Sequence, residues 1–598
     1  MRKEPTLESS SRRVAIDAAR SLRPAPFGGP RLIACGSAAL LAVLVYANAL
    51  FNPFVYDDYR LILENTSVER LADWRGIVVH EMTRPVVNFS YALDYAIWGG
   101  RSPFGFHVTN VLIHAVNVAL LFQLVLVLAT DTASDSRLNS PSVSAGTAAT
   151  AASVLFAVHP ALTQAVGYVS ARSELICTTC FLLAFLAGRR ALKGEGFRWW
   201  ISMAVAWALS LASRETAATF PLVLCCYDYF MHPASARLSR RLSLYVPLIL
   251  LALAVALLRL TVLANVEHPG SVAIHWRNGL VELEVFGRYL LLMVMPVGQT
   301  IFHAIAPIQA LSQPRAILAL MSAVGFVLLI VAVFRANRLA AFGLAWFALV
   351  LLPAALLVML DRAEPMAEHR VYLASAGLFL SAGVAAAAIA ASCRSISPTL
   401  IRQAQIVAVL IATVLSIRTV SRNTVWSHPV ALWLEAAEKA PDHWLPRLAL
   451  GDVLHEEGRH EEAISALRAA VSFRPEEAQA YAKLGRCLLE VGHLDEANRA
   501  FQTLLRLNAQ SPAAYGGLGL LSLKTGQTAV ARRYFLDVLD KDPQSIAARQ
   551  ILASLEEAAN PRESLRLCEE IRQLAPLTEG NDDCISRNRA RLNDASPR

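Results

Sequence analysis

The stretch Gly451-Asp452-Val453-Leu454-His455-Glu456-Glu457-Gly458 returns 34 residues later as Gly485-Arg486-Cys487-Leu488-Leu489-Glu490-Val491-Gly492. It returns once more as Gly519-Leu520-Leu521-Ser522-Leu523-Lys524-Thr525-Gly526. Ala463, Ala497 and Ala531 keep the same step, as do Tyr481 and Tyr515. Pro475 and Pro543 stand two periods apart, with Ala509 between them. A fixed period of this length marks an array in which each unit is a helix pair and buries its apolar face only by stacking on the next. Three units are clear. A degenerate lead-in from about 424 and a worn fourth unit from 544 flank them, so the array is placed at 424–580, with a tail at 581–598.

Upstream of the array the chain changes character. The 598 residues are 55% hydrophobic and 17% charged, against about 25% charged in soluble domains, and mean hydropathy is +0.43. The net charge of +8 is an average over unlike parts. Residues 424–598 hold 21 Lys and Arg against 25 Asp and Glu, and residues 1–423 hold 34 against 22. These figures exclude a disordered chain or a purely soluble one. They predict an all-α protein: a polytopic membrane bundle over 32–423, after a cytoplasmic segment 1–31, followed by the helical array.

Apolar runs near 20 residues cross about 30 Å of hydrocarbon. Eleven spans are expected, near 32–51, 106–130, 146–158, 174–188, 199–213, 216–230, 244–263, 315–334, 339–360, 371–392 and 403–421. Basic residues in short loops face the cytoplasm. The basic residues before the first span, then Arg189, Arg190, Lys193 and Arg198, then Arg237, Arg240 and Arg241, place the N-terminus inside and the array outside. Val281–Gln299 carries Glu282, Glu284, Arg288 and Pro296, so it is read as interfacial or re-entrant. The basic excess then belongs to membrane orientation, and no nucleic-acid partner is expected.

The 34-residue pattern is that of tetratricopeptide repeats, whose concave face usually holds extended peptide, which implies a protein partner. The Cys177-x-x-Cys180 pair lies in an apolar run with no second pair nearby, so it reads as helix packing and not as a zinc site. Cys568 and Cys584 are candidates for pairing if the array faces an oxidising compartment.

Chemistry-bearing residues gather at the outward ends of the spans. Tyr56-Asp57-Asp58-Tyr59 follows the first, and Arg84-Pro85 lies further along the same loop. The second span carries His107, Asn110, His114 and Asn117 on one helical face. Buried polar groups in a bilayer need partners, and either helix–helix hydrogen bonds or a substrate cavity would supply them. His159-Pro160, Arg172-Ser173-Glu174, Ser213-Arg214-Glu215 and Glu368-His369-Arg370 fall at the same face. That convergence predicts a common site.

In their order, Val55-Tyr56-Asp57-Asp58, Arg84-Pro85, Phe104-Gly105-Phe106-His107 with Asn110 and His114, Phe156-Ala157-Val158-His159-Pro160 with Arg172, Arg214-Glu215 with Pro221 and Tyr227-Asp228, and Glu368-His369-Arg370-Val371-Tyr372-Leu373 form a specific set. Over roughly 40–580 the chain resembles the transmembrane-and-tetratricopeptide-repeat O-mannosyltransferases and their bacterial relatives, in the GT-C glycosyltransferase superfamily. Gln164 stands where relatives usually have an acid, Ala374 and Thr66 where they have prolines, and Arg214 where they have lysine.

The resemblance implies a membrane hexosyltransferase that moves a mannose-like sugar from a polyprenyl-phosphate donor to Ser/Thr hydroxyls of an acceptor protein. It would act on the extracytoplasmic face, in a bacterial inner membrane with the repeats in the periplasm, or in the endoplasmic reticulum membrane of a eukaryote. Asp57 or Asp58 would act as base on the acceptor hydroxyl. Arg370, helped by Arg172, Arg214 or Arg84, would hold the departing phosphate. His159 and His107 would donate to phosphate or sugar, and Glu215, Glu368 and His369 belong to the same motifs. No metal-ligand set is expected, and a divalent metal between the aspartates is not favoured. The repeats would present the acceptor. The alternative is a non-catalytic repeat scaffold anchored in the membrane. Asn65-Thr66-Ser67 and Asn88-Phe89-Ser90 match the N-glycosylation pattern.

Overall fold

A computed structural model of the chain describes residues 29–134, 144–231, 245–255, 257–258, 276–359, 364–575 and 578–594. The N-terminal residues 1–28, Arg237, Arg240, Arg241 and residues 244, 256 and 259–263 of the span expected at 244–263 lie outside them. The described residues are helical, with no strand. The chain divides into two units, residues 1–301 with 305–428, and residues 302–304 with 429–598. The division after His428 falls close to the expected 423/424.

In the first unit, six helices are long and apolar enough to cross a membrane: Pro103–Thr132, Val169–Leu192, Pro314–Ala336, Arg338–Leu356, Glu368–Ile396 and Pro398–Trp426. Each meets an expected span. The expected 146–158 span is the first arm of a pair, Ala145–Val158 and Pro160–Gly167, bent by 56°. The bend has a local cause: Pro160 has no N–H to continue the first helix, and His159 is extended before it. The expected spans at 32–51, 199–213, 216–230 and 244–263 meet shorter helices, Gly29–Val45, Phe197–Leu211, Phe220–Met231 and Tyr245–Val255. Those fall short of the roughly 20 residues that cross a bilayer. Six helices among the described residues, or seven if the bent pair is one, are thus long and apolar enough to cross a membrane, beside these shorter ones. The doubtful segment is a helix, Trp276–Val294, whose Glu284 pairs with Arg288 at 2.7 Å and Arg315 at 2.6 Å.

Apolar side chains such as Ile406, Leu410, Val414 and Ile417 stand exposed along Pro398–Trp426, a surface suited to lipid. Inside the bundle, close packing rests on small residues. A Cβ at Gly377 would sit 2.5 Å from the Gly343 carbonyl oxygen, so the helices Arg338–Met359 and Val371–Ile396 touch backbone to backbone.

The polar stripe of the second span resolves into structure. Asn110 donates to the Val166 carbonyl at 3.2 Å, and its own oxygen accepts from Arg172 Nε at 2.6 Å. His114 Nδ1 lies 2.7 Å from the Tyr372 hydroxyl, and Asn117 donates to the Leu175 carbonyl at 3.0 Å. Helix–helix bonding accounts for this face. Cys177 is buried against Ser210 and Thr216, as a packing residue would be.

In the second unit the repeats are helix pairs: Trp444–Glu456 with His460–Phe473, Ala478–Val491 with Leu494–Leu507, and Pro512–Lys524 with Thr528–Lys541. The period's glycines have two jobs. Gly458, Gly492 and Gly526 take φ of +75°, +92° and +75° in the turns. A Cβ at Gly485 would press to 2.7 Å on the Phe501 ring. The lead-in is the helix Pro429–Lys439, and the worn unit is Ile546–Glu556 with Pro561–Leu574. The expected tail is instead largely helical, Asn581–Asp594, and a Cys568–Cys584 disulfide ties it to the preceding helix.

Candidate active site

The loop after the first helix folds around a small core of its own. Phe54, Ile62, Val68, Ile77, Val87, Tyr91 and Phe106 are buried together with Val169. Asn65 and Asn88 are buried too, bonded to each other at 2.8 Å, so both glycosylation-like asparagines serve the loop's interior. At its start, Tyr56 has φ +51°, the one non-glycine residue with positive φ among the described residues. A bulky side chain avoids this region unless its surroundings hold it there. The anchors are visible. Asp58 is buried and accepts from Val55 N at 3.1 Å, from Ser170 N at 2.7 Å and from the Ser170 hydroxyl. The Asp57 N–H donates to the Tyr168 hydroxyl at 3.0 Å.

The two adjacent aspartates thus part company. Asp57 and Tyr56 line a cavity of about 580 Å³, while Asp58 sits behind its wall. The cavity draws on four of the expected clusters, those around Asp57, Arg84, Arg214 and His369. Arg84 comes from the same loop, Gln164, Tyr168 and Ser170 from the bent pair and the turn after it, Arg214 and Glu215 from the next connection, and His369 and Arg370 from the start of Val371–Ile396 and its leading turn. Of the residues expected at the site, the cavity therefore brings together Asp57, Arg84, Arg214, Glu215, His369 and Arg370.

The others serve the framework. Arg172 is wholly buried, paired with Asp94 at 2.6 Å and donating to Asn110 and the Phe106 carbonyl. His159 caps its own turn by accepting from Ala161 N at 3.3 Å, and its Nε2 faces the Met293 carbonyl at 3.1 Å. Glu368 accepts from Thr300 N at 2.7 Å and Gln299 at 3.0 Å. His107 is buried beside Asn52 and Pro53, off the cavity. Sequence reasoning named Tyr56 only within the Tyr56-Asp57-Asp58-Tyr59 motif and passed over Tyr168, Ser170 and Glu364, which no local pattern marks as lining residues.

Charge within the cavity is unevenly committed. Arg214 is held by Glu174 at 2.9 Å and Ser173 at 2.7 Å, with the His369 ring 3.2 Å away. Arg84 lies 3.9 Å from Glu215. The Arg370 guanidinium donates to the Glu364 carbonyl at 2.6 Å, a bond that aims it without cancelling its charge. Gln164, in place of the usual acid, accepts from the His369 N–H at 2.8 Å and steadies that turn. This arrangement can hold an anion against arginines and present a carboxylate to a neutral hydroxyl.

Burial pushes the Asp58 carboxyl up to about 7, against the pull of its hydrogen bonds from Ser170 and Val55. An acid with its folded pKa raised stabilises the fold below its unfolded pKa, and that contribution is lost as pH rises through about 7. Melting temperature should therefore fall with rising pH across that window in the wild type, and Asp58→Asn should flatten the trend. An unchanged slope in the variant would refute this assignment.

Comparison with known proteins adds independent support. A tetratricopeptide-repeat family model matches residues 454–521 and 488–555. Protein O-mannosyl-transferase Tmtc2 of Drosophila melanogaster is 32% identical over 207 residues, and Tmtc1 of the same fly is 37% identical over 201 residues. Each match covers 31% of this chain and 21% of the relative. Protein O-mannosyl-transferase F38B6.6 of Caenorhabditis elegans is 24% identical over 463 residues, 73% of this chain and 62% of the relative. The chain thus aligns with about a fifth of the length of the two fly proteins. The resemblance carried by the ordered motifs holds: the chain is similar to curated proteins named protein O-mannosyl-transferase, and in its repeats to a tetratricopeptide-repeat family model.

Proposed function

We propose that the first unit is a glycosyltransferase that moves a mannose-like hexose from a polyprenyl-phosphate donor to Ser/Thr hydroxyls of an acceptor protein, at the extracytoplasmic membrane face. The observation that carries this reading is the single cavity in which Asp57 shares the wall with Arg84, Arg214 and Arg370. The relatives named protein O-mannosyl-transferase support the reaction class.

Asp57 takes the proton of the acceptor hydroxyl as its oxygen attacks the anomeric carbon. The bond from that carbon to the donor phosphate oxygen breaks, its electron pair goes to the phosphate, and the configuration inverts in one displacement. Arg370 meets the charge that develops on the leaving phosphate, with Arg84 and Arg214 flanking. The repeats present the acceptor and raise its concentration at the cavity. The disulfide between Cys568 and Cys584 suits repeats that face an oxidising compartment.

Sugar transfer from polyprenyl-phosphate mannose to a peptide or protein acceptor, followed with purified protein in detergent, tests the reading. Arg370→Ala should lower kcat by about 10²–10³-fold, the range for losing one preorganised donor to a developing anion. Transfer that survives Arg370→Ala would overturn the role of Arg370. Absence of transfer from every lipid-linked donor, by protein that still binds acceptor, would favour the scaffold.

A further inference from the structure

The repeat unit holds a constellation that sugar transfer does not use. His455 lies in the last turn of Trp444–Glu456, His460 opens His460–Phe473, and Glu490 lies in the last turn of Ala478–Val491, the first helix of the next repeat. Gly458, at φ +75°, turns the chain back so that the two histidines face each other. His455 Nδ1 is 3.2 Å from His460 Nδ1. Glu490 Oε2 is 3.5 Å from the first nitrogen and 3.6 Å from the second.

Three ligand-capable atoms at nearly equal separations form the face of a tetrahedron. A tetrahedral zinc ion with bonds of about 2.0–2.1 Å holds its ligand atoms roughly 3.3–3.4 Å apart, so all three edges lie within a few tenths of an ångström of that figure. We propose that His455, His460 and Glu490 bind one zinc-class divalent ion, with water in the fourth position, pinning the turn of one repeat to the first helix of the next.

The surroundings agree. Asp452, the other nearby carboxylate, is committed to Lys483 at 2.5 Å and to Arg486 at 3.6 Å, which leaves Glu490 to the imidazoles. The His455 side chain is largely buried, 10% exposed, which fixes where its ring nitrogen points. His460 is about one-third exposed and Glu490 more so, which gives an ion a path from solvent. Two imidazoles and one carboxylate favour zinc, cobalt or nickel over magnesium or calcium, whose sites are built of oxygen.

The untagged full chain in detergent, stripped with a chelator, is titrated with cobalt(II) while the visible ligand-field band of tetrahedral cobalt is read. One equivalent should bind and be displaced by zinc. His455→Ala and Glu490→Gln should each weaken binding more than about tenfold, a loss at least as large as outer-shell changes cause. His493→Ala should leave it unchanged. Glu490 is exposed enough for Glu490→Gln to keep the helix, which circular dichroism verifies. No tetrahedral band in the wild type, or a band that survives both ligand changes, would overturn the site.

Discussion

Asp57→Asn should lower kcat for the proposed sugar transfer about 10²–10⁴-fold, the contribution of a positioned general base, and leave the melting temperature and donor KM near wild type. Asn keeps the size and the polarity of the wall but cannot take a proton. The backbone tie that holds this residue, its N–H to the Tyr168 hydroxyl, is untouched by the change. Asp58→Asn behaves differently. Its carboxylate ties Val55 and Ser170 together behind the wall, so the loss shows first in stability and in the pH dependence of melting. Full activity in Asp57→Asn, with lost activity in a stable Asp58→Asn, would reverse the two roles.

The sequence marked this pair but could not divide it. Two adjacent aspartates look alike as letters, and which one faces the cavity depends on the positive φ at Tyr56. That conformation is held by partners more than a hundred residues away, Tyr168 and Ser170, which no local pattern names. The repeats were legible because the physics there is local and periodic: each glycine answers a turn or a ring one helix away. The long apolar helices were legible for a similar reason, since hydrocarbon thickness sets their length. Short helices such as Phe197–Leu211 and Phe220–Met231 were legible as two apolar stretches, near 199–213 and 216–230, because the polar Ser213-Arg214-Glu215 keeps them apart. The metal-ligand candidates escaped notice because His455, His460 and Glu490 meet only when repeats stack.

Arg172 separates a charge that binds substrate from one that builds the site. The sequence offered it as a phosphate ligand, yet its guanidinium is consumed by Asp94, Asn110 and the Phe106 carbonyl and lies 4.9 Å from the centre of the Tyr91 ring. Arg172→Met strips the charge from a pair buried on both sides and leaves Asp94 without its cation. Breaking such a pair costs about 3–5 kcal/mol, against a total stability on the order of 5–15 kcal/mol. The variant should accumulate poorly and melt well below wild type. Adding Asp94→Asn removes the stranded charge, so the double variant should recover much of the loss, a coupling that a double-mutant cycle reads directly. Activity then decides the role. If Arg172 only supports the wall, the refolded double variant transfers sugar with an unchanged donor KM. A double variant that folds and melts like wild type but has lost donor binding would place Arg172 on the phosphate after all.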